Sequence, residues 1–390
     1  MKKKVVLAYS GGLDTSVLIK WLMDRDFEVI CYMADVGQGE DATSAKKRAL
    51  EIGATKCIVG DLKKEFVSDY VFRSLKAGAL YQGRYNLATA LSRPLIADAM
   101  LAAAKSEKAG YVAHGCTGKG NDQVRFEVTF SIKAPNLKVL APVREWELKT
   151  REQEIDYAKK HNIPIEQSKK KLYSIDKNLW GISVESGDLE DPWNMPKDDT
   201  FITVTKPENA PNKPEFVNIT FEKGVPVEIN GKKYAQVELI QELNVLGGTH
   251  GIGRVDMVED RLVGIKSREV YEAPASEILY EAHRCLEELV LDRDTRAYKI
   301  GIAVKYSELV YNGLWFTPLK KSLDAFIDST QQKVTGEVKL KLYKGKVTVA
   351  GRKSPNSRYK MALATYGEGD EFDQTLAKGF IDLWAMPFKN

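Results

Sequence analysis

The chain has 390 residues, 43% of them hydrophobic, and a formal net charge of +4 from 58 basic and 54 acidic side chains. This length accommodates two or three domains with sizeable cores, and the composition is that of an ordered soluble protein. Such a small excess of positive charge argues against a nucleic-acid partner, because a binding surface of that kind shows a clustered basic stripe.

The cysteines and the start of the chain indicate a compartment. Cys31, Cys57, Cys116 and Cys285 are far apart and form no C-x-x-C pair, which favours reduced thiols over disulfides or a zinc site. Lysines at residues 2–4 precede an apolar run that is much too short for a signal peptide, and no apolar stretch reaches the length of a membrane span. We therefore expect a cytoplasmic protein with no membrane segment and no metal cluster.

The first part of the chain alternates short apolar strands with helices. Hydrophobic periodicity predicts strands at residues 5–8, 29–33, 57–59, 111–113 and 139–141. It predicts helices at residues 17–22, 42–52, 67–80, 95–104 and 151–160. This alternation predicts an α/β fold with a parallel sheet over residues 1–165, in which ligands bind beyond the carboxyl ends of the strands.

Beyond residue 165 the pattern becomes antiparallel. The segment up to residue 199 is rich in glycine and proline and is predicted to be mostly loop. Hairpins are predicted at residues 216–222 with 225–229, 254–258 with 262–266, and 338–343 with 346–350. Helices are predicted at residues 237–246, stopping at Gly247-Gly248, and at 275–291, 296–311 and 319–329. These elements predict an α+β domain over residues 166–365 and a helical tail over residues 366–390.

The loop after the first strand, residues 10–16, reads Ser-Gly-Gly-Leu-Asp-Thr-Ser and leads into a helix. Adjacent glycines let a ligand approach the backbone, and Ser10, Thr15 and Ser16 supply hydroxyls beside the free N–H groups that open the helix. The alternative is a tight turn in which Asp14 or Thr15 only caps the helix. The density of hydroxyls favours phosphate binding, with Asp14 either capping the helix or holding a magnesium ion that bridges phosphates.

Two familiar nucleotide motifs are absent from the sequence. Neither G-x-x-x-x-G-K-[ST] nor G-x-G-x-x-G occurs, which argues against kinase-like and Rossmann-like chemistry.

A second polar loop, residues 114–122, contains three glycines and Lys119, which can stand near phosphates as a point charge. Thr117, Asn121, Asp122 and Arg125 could recognise an amino acid, since arginine pairs with a carboxylate and aspartate suits an ammonium group. The alternative is a polar loop with helix caps. Cys116 has no nearby base and is expected to serve packing.

Residues 10–16 resemble the loop of the N-type ATP pyrophosphatases, which cleave ATP between the α and β phosphates to adenylate a second substrate. With the second loop, Gly-Gly-Thr-His-Gly-Ile-Gly-Arg at residues 247–254 and Lys-Ser-Arg at residues 266–268, the chain resembles the argininosuccinate synthase family over most of its length. The resemblance implies an adenine nucleotide alpha hydrolase-like domain, followed by a synthetase domain and a C-terminal oligomerisation helix. It also implies a carbon–nitrogen ligase that condenses citrulline with aspartate, using ATP and Mg²⁺ and releasing AMP and pyrophosphate.

The resemblance also implies which residues bind each substrate. ATP would be held by Ala8, Tyr9, Ser10, Gly11, Gly12, Leu13, Asp14, Thr15, Ser16, Ala34 and Gly115. Aspartate would be held by Thr117, Asn121 and Asp122. Citrulline would be held by Tyr85, Ala90, Asn121, Arg125, Ser174, Ser183, Glu259 and Tyr271. Asp14 and Asp122 are the expected catalytic residues, and Thr89 or a backbone group could replace the serine that relatives often carry at the position of Ala90.

Two other functions are less well supported. A tRNA-modifying enzyme with the same loop would need a basic surface or a catalytic cysteine pair, and the sequence has neither. A nucleotide sensor without catalysis would not need a large second domain or the polar residues Arg125, Glu259 and Tyr271.

The tail places Phe372, Leu376, Phe380 and Leu383 at helical spacing. This apolar stripe comes too late in the chain to be needed for the hairpin core, so we expect it to dock on a neighbouring subunit. The resemblance implies a homotetramer.

Overall fold

The computed structural model describes residues 2–39, 41–164 and 173–389. Its first sheet has five parallel strands, which confirms the predicted parallel sheet, and their order is β3-β2-β1-β4-β5. The strands are β1 (Lys3–Ala8), β2 (Phe27–Asp35), β3 (Lys56–Asp61), β4 (Tyr111–Ala113) and β5 (Lys138–Leu140).

The central strand β1 shows why this sheet needs helices on both faces. Val5 and Leu7 pack on one side with α1 (Leu13–Met23), whereas Val6 packs on the other side with α5 (Ala88–Ser106). All three side chains are fully buried, which is the usual state of a parallel strand between helical layers.

The other helices of this part surround the sheet. They are α2 (Ala42–Ile52), α3 (Lys63–Glu65), α4 (Phe72–Ala77), α6 (Asp122–Lys133), α7 (Pro142–Glu145) and α8 (Arg151–Lys160). The predicted bounds of α2 and α8 are confirmed, because Gly53 in the left-handed conformation ends α2 and a Thr150–Gln153 capping box begins α8.

Three predicted helices of this part have other bounds. The helix predicted at residues 17–22 is α1, which begins at Leu13, directly after the glycine loop. The helix predicted at residues 67–80 consists of α3, a π-helical stretch (Phe66–Val71) and α4, and it ends at Ala77 because Gly78 has φ +70°. Helix α5 begins at Ala88 rather than at residue 95. Pro94 lies inside it, so this proline does not mark a helix start.

The rest of the chain forms two antiparallel sheets. The four-stranded sheet has the order β11-β12-β7-β6 and contains β6 (Ser174–Asn178), β7 (Gly181–Glu185), β11 (Arg254–Asp260) and β12 (Lys266–Glu272). The five-stranded sheet has the order β10-β9-β8-β13-β14 and contains β8 (Glu215–Glu222), β9 (Val225–Ile229), β10 (Lys232–Lys233), β13 (Gly336–Tyr343) and β14 (Lys346–Lys353).

The first and third predicted hairpins are confirmed, as β8–β9 and β13–β14. Strand β12 starts where the strand predicted at residues 262–266 ends, because the apolar residues Val263 and Ile265 lie exposed in the turn. Strands β6 and β7 lie in the segment predicted to be loop, and the polar sequence of β6 hides its strand character.

Six helices complete the described part of the chain: α9 (Gln236–Thr249), α10 (Pro274–Val290), α11 (Arg293–Tyr311), α12 (Pro318–Gln331), α13 (Met361–Ala364) and α14 (Leu376–Ala385). Helix α9 continues through Gly247 and Gly248, where the sequence predicted its end. A Cβ on Gly247 would lie 2.8 Å from Pro274 Cβ, and one on Gly248 would lie 2.9 Å from the Thr203 carbonyl oxygen. These glycines therefore allow close packing and do not terminate the helix.

The largest hydrophobic cluster joins the two parts of the chain. Phe66, Phe72 and Leu91 from the first part pack in one cluster with Leu279 and Tyr306 from the second. The predicted boundary at residue 165 lies outside the described residues. Among those described, no helix is both long and apolar enough to cross a membrane.

Candidate active site

The loop at residues 10–16 lies at the carboxyl end of β1, where the sequence predicted a ligand site. Gly11 has φ +77°, and a Cβ there would lie only 3.2 Å from Ala45 Cβ, so this position requires glycine. Gly12 is the N-cap of α1 with no side chain capping it, and Ser16 N donates the first helical hydrogen bond to Gly12 O at 3.0 Å. The amides of residues 13–15 precede that bond and face out of the helix start, as an anion site requires.

The hydroxyls of this loop point in two directions. Ser10 Oγ and Thr15 Oγ1 lie 3.1 Å apart at the surface of the loop. Ser16 is buried, and its hydroxyl lies 3.4 Å from that of Tyr9. Ser10 and Thr15 therefore present hydroxyls to a ligand, while Ser16 ties the start of α1 to the strand end.

Asp14 lies exposed inside the first turn of α1 and does not occupy the cap position that the sequence allowed for it. Glu154 of α8 is its partner. Burial, together with a hydrogen bond to Asp14 and the negative charge of Asp14, raises the pKa of Glu154 to about 8. Glu154 therefore carries a proton at neutral pH, and two carboxyl groups beside the loop add only one negative charge.

The second glycine loop packs against the first. A Cβ on Gly115 would lie 3.1 Å from Leu18 Cδ1 and 3.4 Å from Thr15 Cγ2, so the two loops are in contact at this point. Ala34, near the end of β2, accepts a 2.7 Å hydrogen bond from Gln38 Nε2. The residues predicted to bind ATP therefore lie at the carboxyl ends of three neighbouring strands: β1, β2 and β4.

Asp122, the first residue of α6, is hydrogen-bonded to two arginines, one from α5 and one from α6. Arg93 Nε donates to its Oδ2 at 2.8 Å, and Arg125 NH1 donates to its Oδ1 at 2.9 Å. Burial alone would raise the pKa of Asp122, but the two guanidinium groups outweigh it and hold the pKa below its usual range. Asp122 is therefore a stable anion suited to hold a cation, and a weak proton acceptor.

Asn121 connects the second loop with the later part of the chain. Its Nδ2 donates to Tyr311 OH at 2.8 Å, and its Oδ1 accepts from Leu262 N at 2.9 Å. Tyr311 OH in turn donates to Glu259 Oε1 at 2.7 Å. A chain of hydrogen bonds therefore leads from the predicted aspartate residues to the predicted citrulline residues.

Four of the residues predicted for citrulline, Ser174, Ser183, Glu259 and Tyr271, share one face of the four-stranded sheet. Ser183 lies directly opposite both Asp176 and Tyr271 in the strand register, and Ser174 is two residues from Asp176 on β6. Side chains two apart on a strand and cross-strand partners point to the same face.

Aromatic rings form the base of this site. Tyr85 stacks on Tyr271 with centroids 4.3 Å apart, and Tyr81 stacks on Tyr311 at 3.6 Å. Tyr271 OH donates to Glu259 Oε2 at 2.7 Å. Burial and the neighbouring carboxylate of Glu269 raise the pKa of Glu259 to about 7, although hydrogen bonds from Tyr311 and Tyr271 oppose this rise.

Arg125 is almost fully buried beneath these rings. Its Nε donates to the Tyr311 carbonyl at 3.0 Å and its guanidinium carbon lies 4.9 Å from the centroid of the Tyr311 ring, but its NH2 group has no hydrogen-bond partner. An unpaired buried guanidinium N–H is costly, and a ligand carboxylate would satisfy it.

Ala90 makes no polar side-chain contact and is completely buried. Tyr85 OH accepts a 3.0 Å hydrogen bond from Thr89 N, and Thr89 Oγ1 donates to Asp176 Oδ2 at 2.9 Å. The Thr89 hydroxyl, which the sequence offered as a substitute contact, is therefore already engaged by the protein.

Several residues in this region were not found from the sequence. They are Arg93, Glu154, Asp176, Arg261, Glu269 and Tyr311. Only Arg93 could have been suspected from the sequence, because it is the one charged residue in the mostly apolar first half of α5. Among the described residues, no three His, Cys, Asp or Glu side chains are grouped so that they could hold a metal ion.

Comparisons with known proteins show the family of this chain. Residues 4–164 match the arginosuccinate synthase N-terminal HUP domain, and residues 173–390 match the arginosuccinate synthase C-terminal domain. An argininosuccinate synthase from Caldanaerobacter subterraneus subsp. tengcongensis is 57% identical over 99% of this chain and 95% of its own length. One from Aquifex aeolicus is 55% identical over 100% of this chain and 97% of its own length. One from Acetivibrio thermocellus is 55% identical over 100% of this chain and 96% of its own length.

Both parts of the chain are thus matched, and the likeness to these relatives extends over nearly the whole length of each. The chain belongs to the argininosuccinate synthase family, ATP-using ligases that condense citrulline with aspartate in arginine biosynthesis.

Proposed function

We propose that the residues predicted from the sequence carry out this condensation through a citrullyl-adenylate. One observation supports the proposal most directly: the two glycine loops are in contact, and the second leads through Asn121 and Tyr311 to Glu259. An ATP site and two amino-acid sites would then be adjacent, which is what a reaction of three substrates requires.

ATP would bind with its phosphates on residues 8–16, while Ala34 and Gly115 contact the rest of the nucleotide. The open amides of residues 13–15 and the hydroxyls of Ser10 and Thr15 are suited to the pyrophosphate that departs. Mg²⁺ would be held by phosphate oxygens with Asp14 as the protein ligand, which fits the exposed carboxylate in the first turn of α1. There it would neutralise phosphate charge.

Citrulline would lie on the sheet face built by β6, β7, β11 and β12. The unpaired NH2 of Arg125 supports a carboxylate contact, and Glu259 and Tyr271 offer a hydrogen-bonding pair beside it. Ser174 and Ser183 would supply hydroxyls, and Tyr85 a stacking surface. Ala90 would contribute only shape, since its methyl group is buried.

Aspartate would be held by Thr117, Asn121 and Asp122. The charged carboxylate of Asp122 suits the α-ammonium group, and its lowered pKa makes it an anchor for that group in preference to a proton acceptor. The catalytic contribution of Asp122 would therefore be to place the amine.

A ureido carbon has no usable leaving group. The ureido oxygen of citrulline would therefore attack the α-phosphorus of ATP and release pyrophosphate. The α-ammonium group of aspartate would then lose a proton to water, and the free amine would attack the ureido carbon and displace AMP, which keeps the citrulline oxygen.

The test is to follow pyrophosphate release with ATP alone, then with citrulline, then with aspartate added. Release should require citrulline, and AMP formation should require aspartate as well. Citrulline labelled with heavy oxygen in its ureido group should yield labelled AMP by mass spectrometry. Label in phosphate or pyrophosphate, or production of ADP, would contradict the adenylate route.

We also propose a cytoplasmic homotetramer built from an ATP-binding domain (residues 1–165), a synthetase domain (166–365) and an oligomerisation tail (366–390). The four cysteines are free thiols, which is compatible with a reducing compartment. The exposed apolar side chains of α14 support a tail that is covered by another subunit.

A further inference from the structure

We propose that Arg93 is a positioning residue for the condensation step, because it ties the aspartate residue Asp122 to the sheet face that carries the citrulline residues. The inference rests on the proposed function. It adds a residue that touches neither amino acid in that proposal and acts through Asp122 and Asp176.

Arg93 lies on α5 with its side chain 16% exposed, between two carboxylates from different elements. Its Nε donates to Asp122 Oδ2 at 2.8 Å, and its NH2 group donates to Asp176 Oδ2 at 2.5 Å. Asp122 begins α6 and Asp176 lies on β6, so one guanidinium group joins a helix of the first part of the chain to a strand of the second. A guanidinium group suits this task, because its donors have a rigid fork geometry.

Asp176 lies next to the two serines predicted to bind citrulline. Ser183 lies directly across from Asp176 in the strand register, and Ser174 lies two residues before it on the same face. Thr89 Oγ1 holds the same carboxylate at 2.9 Å from one turn earlier on α5. Fixing Asp176 therefore fixes β6, which carries Ser174 and pairs with β7 at Ser183.

The condensation needs the aspartate amine close to the activated ureido carbon, in a defined direction. Reacting atoms must approach to about 3–3.5 Å, and a displacement of about 1 Å can cost about a hundredfold in rate. The adenylation step lacks this requirement, because it joins ATP and citrulline without aspartate. Loss of Arg93 should therefore affect the second step more than the first.

The experiment compares Arg93→Met and Arg93→Lys with the wild-type enzyme. For Arg93→Met we expect the KM for aspartate to rise about tenfold or more, because Asp122 loses one hydrogen bond between charged groups. Citrulline-dependent exchange of labelled pyrophosphate into ATP, measured without aspartate, should stay within about threefold of wild type. Arg93→Lys keeps the positive charge but lacks the forked donor geometry of a guanidinium group. Its KM for aspartate should therefore lie between those of the wild-type enzyme and Arg93→Met.

A pH profile separates positioning from general support of the fold. Removal of Arg93 leaves Arg125 as the only arginine hydrogen-bonded to Asp122 among the described residues, so the pKa of Asp122 should rise. The acid limb of kcat/KM for aspartate should then move to higher pH. Cys116 and Glu185 are other titratable groups that sense the charge of Asp122. Arg93 also lowers the pKa of the Cys116 thiol, so its removal should raise that pKa further and leave the acid limb unaffected by Cys116.

Two further variants complete the design. Lys105→Met removes an exposed cation of α5, the helix that carries Arg93, and should leave the aspartate KM and the rate of pyrophosphate exchange unchanged. Asp176→Asn should raise the aspartate KM less than Arg93→Met does, and the double variant should show less than the product of the two effects.

An unchanged aspartate KM in both Arg93 variants would overturn the inference. Equal losses in exchange and condensation, with a lowered thermal midpoint, would also overturn it, since they would show a general structural role. Failure of the wild-type enzyme to make argininosuccinate would instead overturn the proposed function.

Discussion

Glu154 shows how strongly the charge of one carboxyl group depends on the residue that packs against it. In the sequence it is one of several acidic residues at the start of a helix, where a negative charge is usual. In the structure it lies half-buried beside Asp14, and its Oε2 has no hydrogen-bond partner. The folded chain therefore keeps it protonated up to about pH 8.

We predict that this carboxyl group makes ATP binding dependent on pH. Above about pH 8 Glu154 ionises and adds a negative charge near the phosphate loop, so the wild-type KM for ATP should rise between pH 7 and pH 9. The expected rise is about twofold to fivefold, the usual effect of one charge near a helix start. In Glu154→Gln the KM for ATP should vary less over the same range.

Thermal unfolding gives an independent check on Glu154→Gln. A carboxyl group whose pKa is raised from 4.5 to about 8 on folding stabilises the protein below its unfolded pKa, and this contribution is lost as pH rises through the folded pKa. The difference in thermal unfolding midpoint, Glu154→Gln minus wild type, should therefore increase from about pH 5 to pH 8 and then level off. Asp156→Asn, which removes an exposed carboxylate of the same helix that pairs with Lys159, is the matched control. Parallel wild-type and variant curves would show that Glu154 does not hold the proton.

We predict that Asp122→Asn impairs the aspartate step more than adenylation. The variant loses the charge that would hold the ammonium group, which should raise the aspartate KM about tenfold to hundredfold. Citrulline-dependent exchange of labelled pyrophosphate should survive. Asp98→Asn on α5 removes an aspartate that pairs with Lys133 and serves as the control. If exchange disappears in a folded Asp122→Asn enzyme, Asp122 serves ATP or citrulline instead.

At the scale of elements, the residues at positions 247–254 that carried part of the family resemblance serve packing. A Cβ on Gly253, which has φ +96°, would lie 2.5 Å from Pro274 N, and Gly248 O accepts a 2.9 Å hydrogen bond from Thr205 N. The segment at residues 202–204 packs on this glycine-rich stretch. It is held in turn by Glu272, the last residue of β12.

We predict that Glu272→Gln destabilises the fold. Glu272 is 1% exposed, and its carboxylate accepts hydrogen bonds from the amides of Ile202, Thr203 and Val204 at 2.6, 2.8 and 2.6 Å. An amide has one acceptor oxygen and would turn an NH2 group toward these donors. The free energy of unfolding in urea should fall by about 2–3 kcal/mol. Glu222→Gln, an exposed residue at the end of β8, should change little, and an equal effect of both variants would contradict this account.

The elements that the sequence predicted well are those in which burial follows a simple period. β4, α2 and α8 have the predicted bounds because apolar spacing and caps agree there. β6 was missed because its sequence, Ser-Ile-Asp-Lys-Asn, places polar side chains on a site face. Periodicity reports contact with a hydrophobic core, so a strand that lines a ligand site does not produce this signal.

At the scale of the whole molecule, the candidate site combines groups that are distant in sequence. The loop residues are local in the chain, so their motifs could predict them from the sequence. The partners of Asp122 and Asn121 come from α5, α6, α11 and the turn after β11, and no local pattern pairs them. Only the shared packing of both parts of the chain in one hydrophobic cluster brings these side chains together.

The tail is the part of the molecule that this packing leaves uncovered. No residue of α14 is buried, and the side chains of Leu376, Phe380, Leu383 and Trp384 are 69%, 62%, 67% and 66% exposed. Contiguous apolar side chains on one helix face are typical of an interaction site, and in the proposed homotetramer a second copy of the chain would cover them.

We predict that removal of the residues after Gly369 lowers the mass of the oligomer in light scattering. The apolar face of α14 would be covered only in the assembly, so its loss should shift the equilibrium toward smaller species and make the mass depend on concentration. Phe380→Asp combined with Trp384→Asp should act in the same direction, because the two stacked rings are 5.7 Å apart on that face. Lys378→Ala, which removes an exposed ion pair with Asp382 on the same helix, should leave the mass unchanged. An unchanged mass for the truncated chain and the double variant would show that the tail does not hold the assembly together.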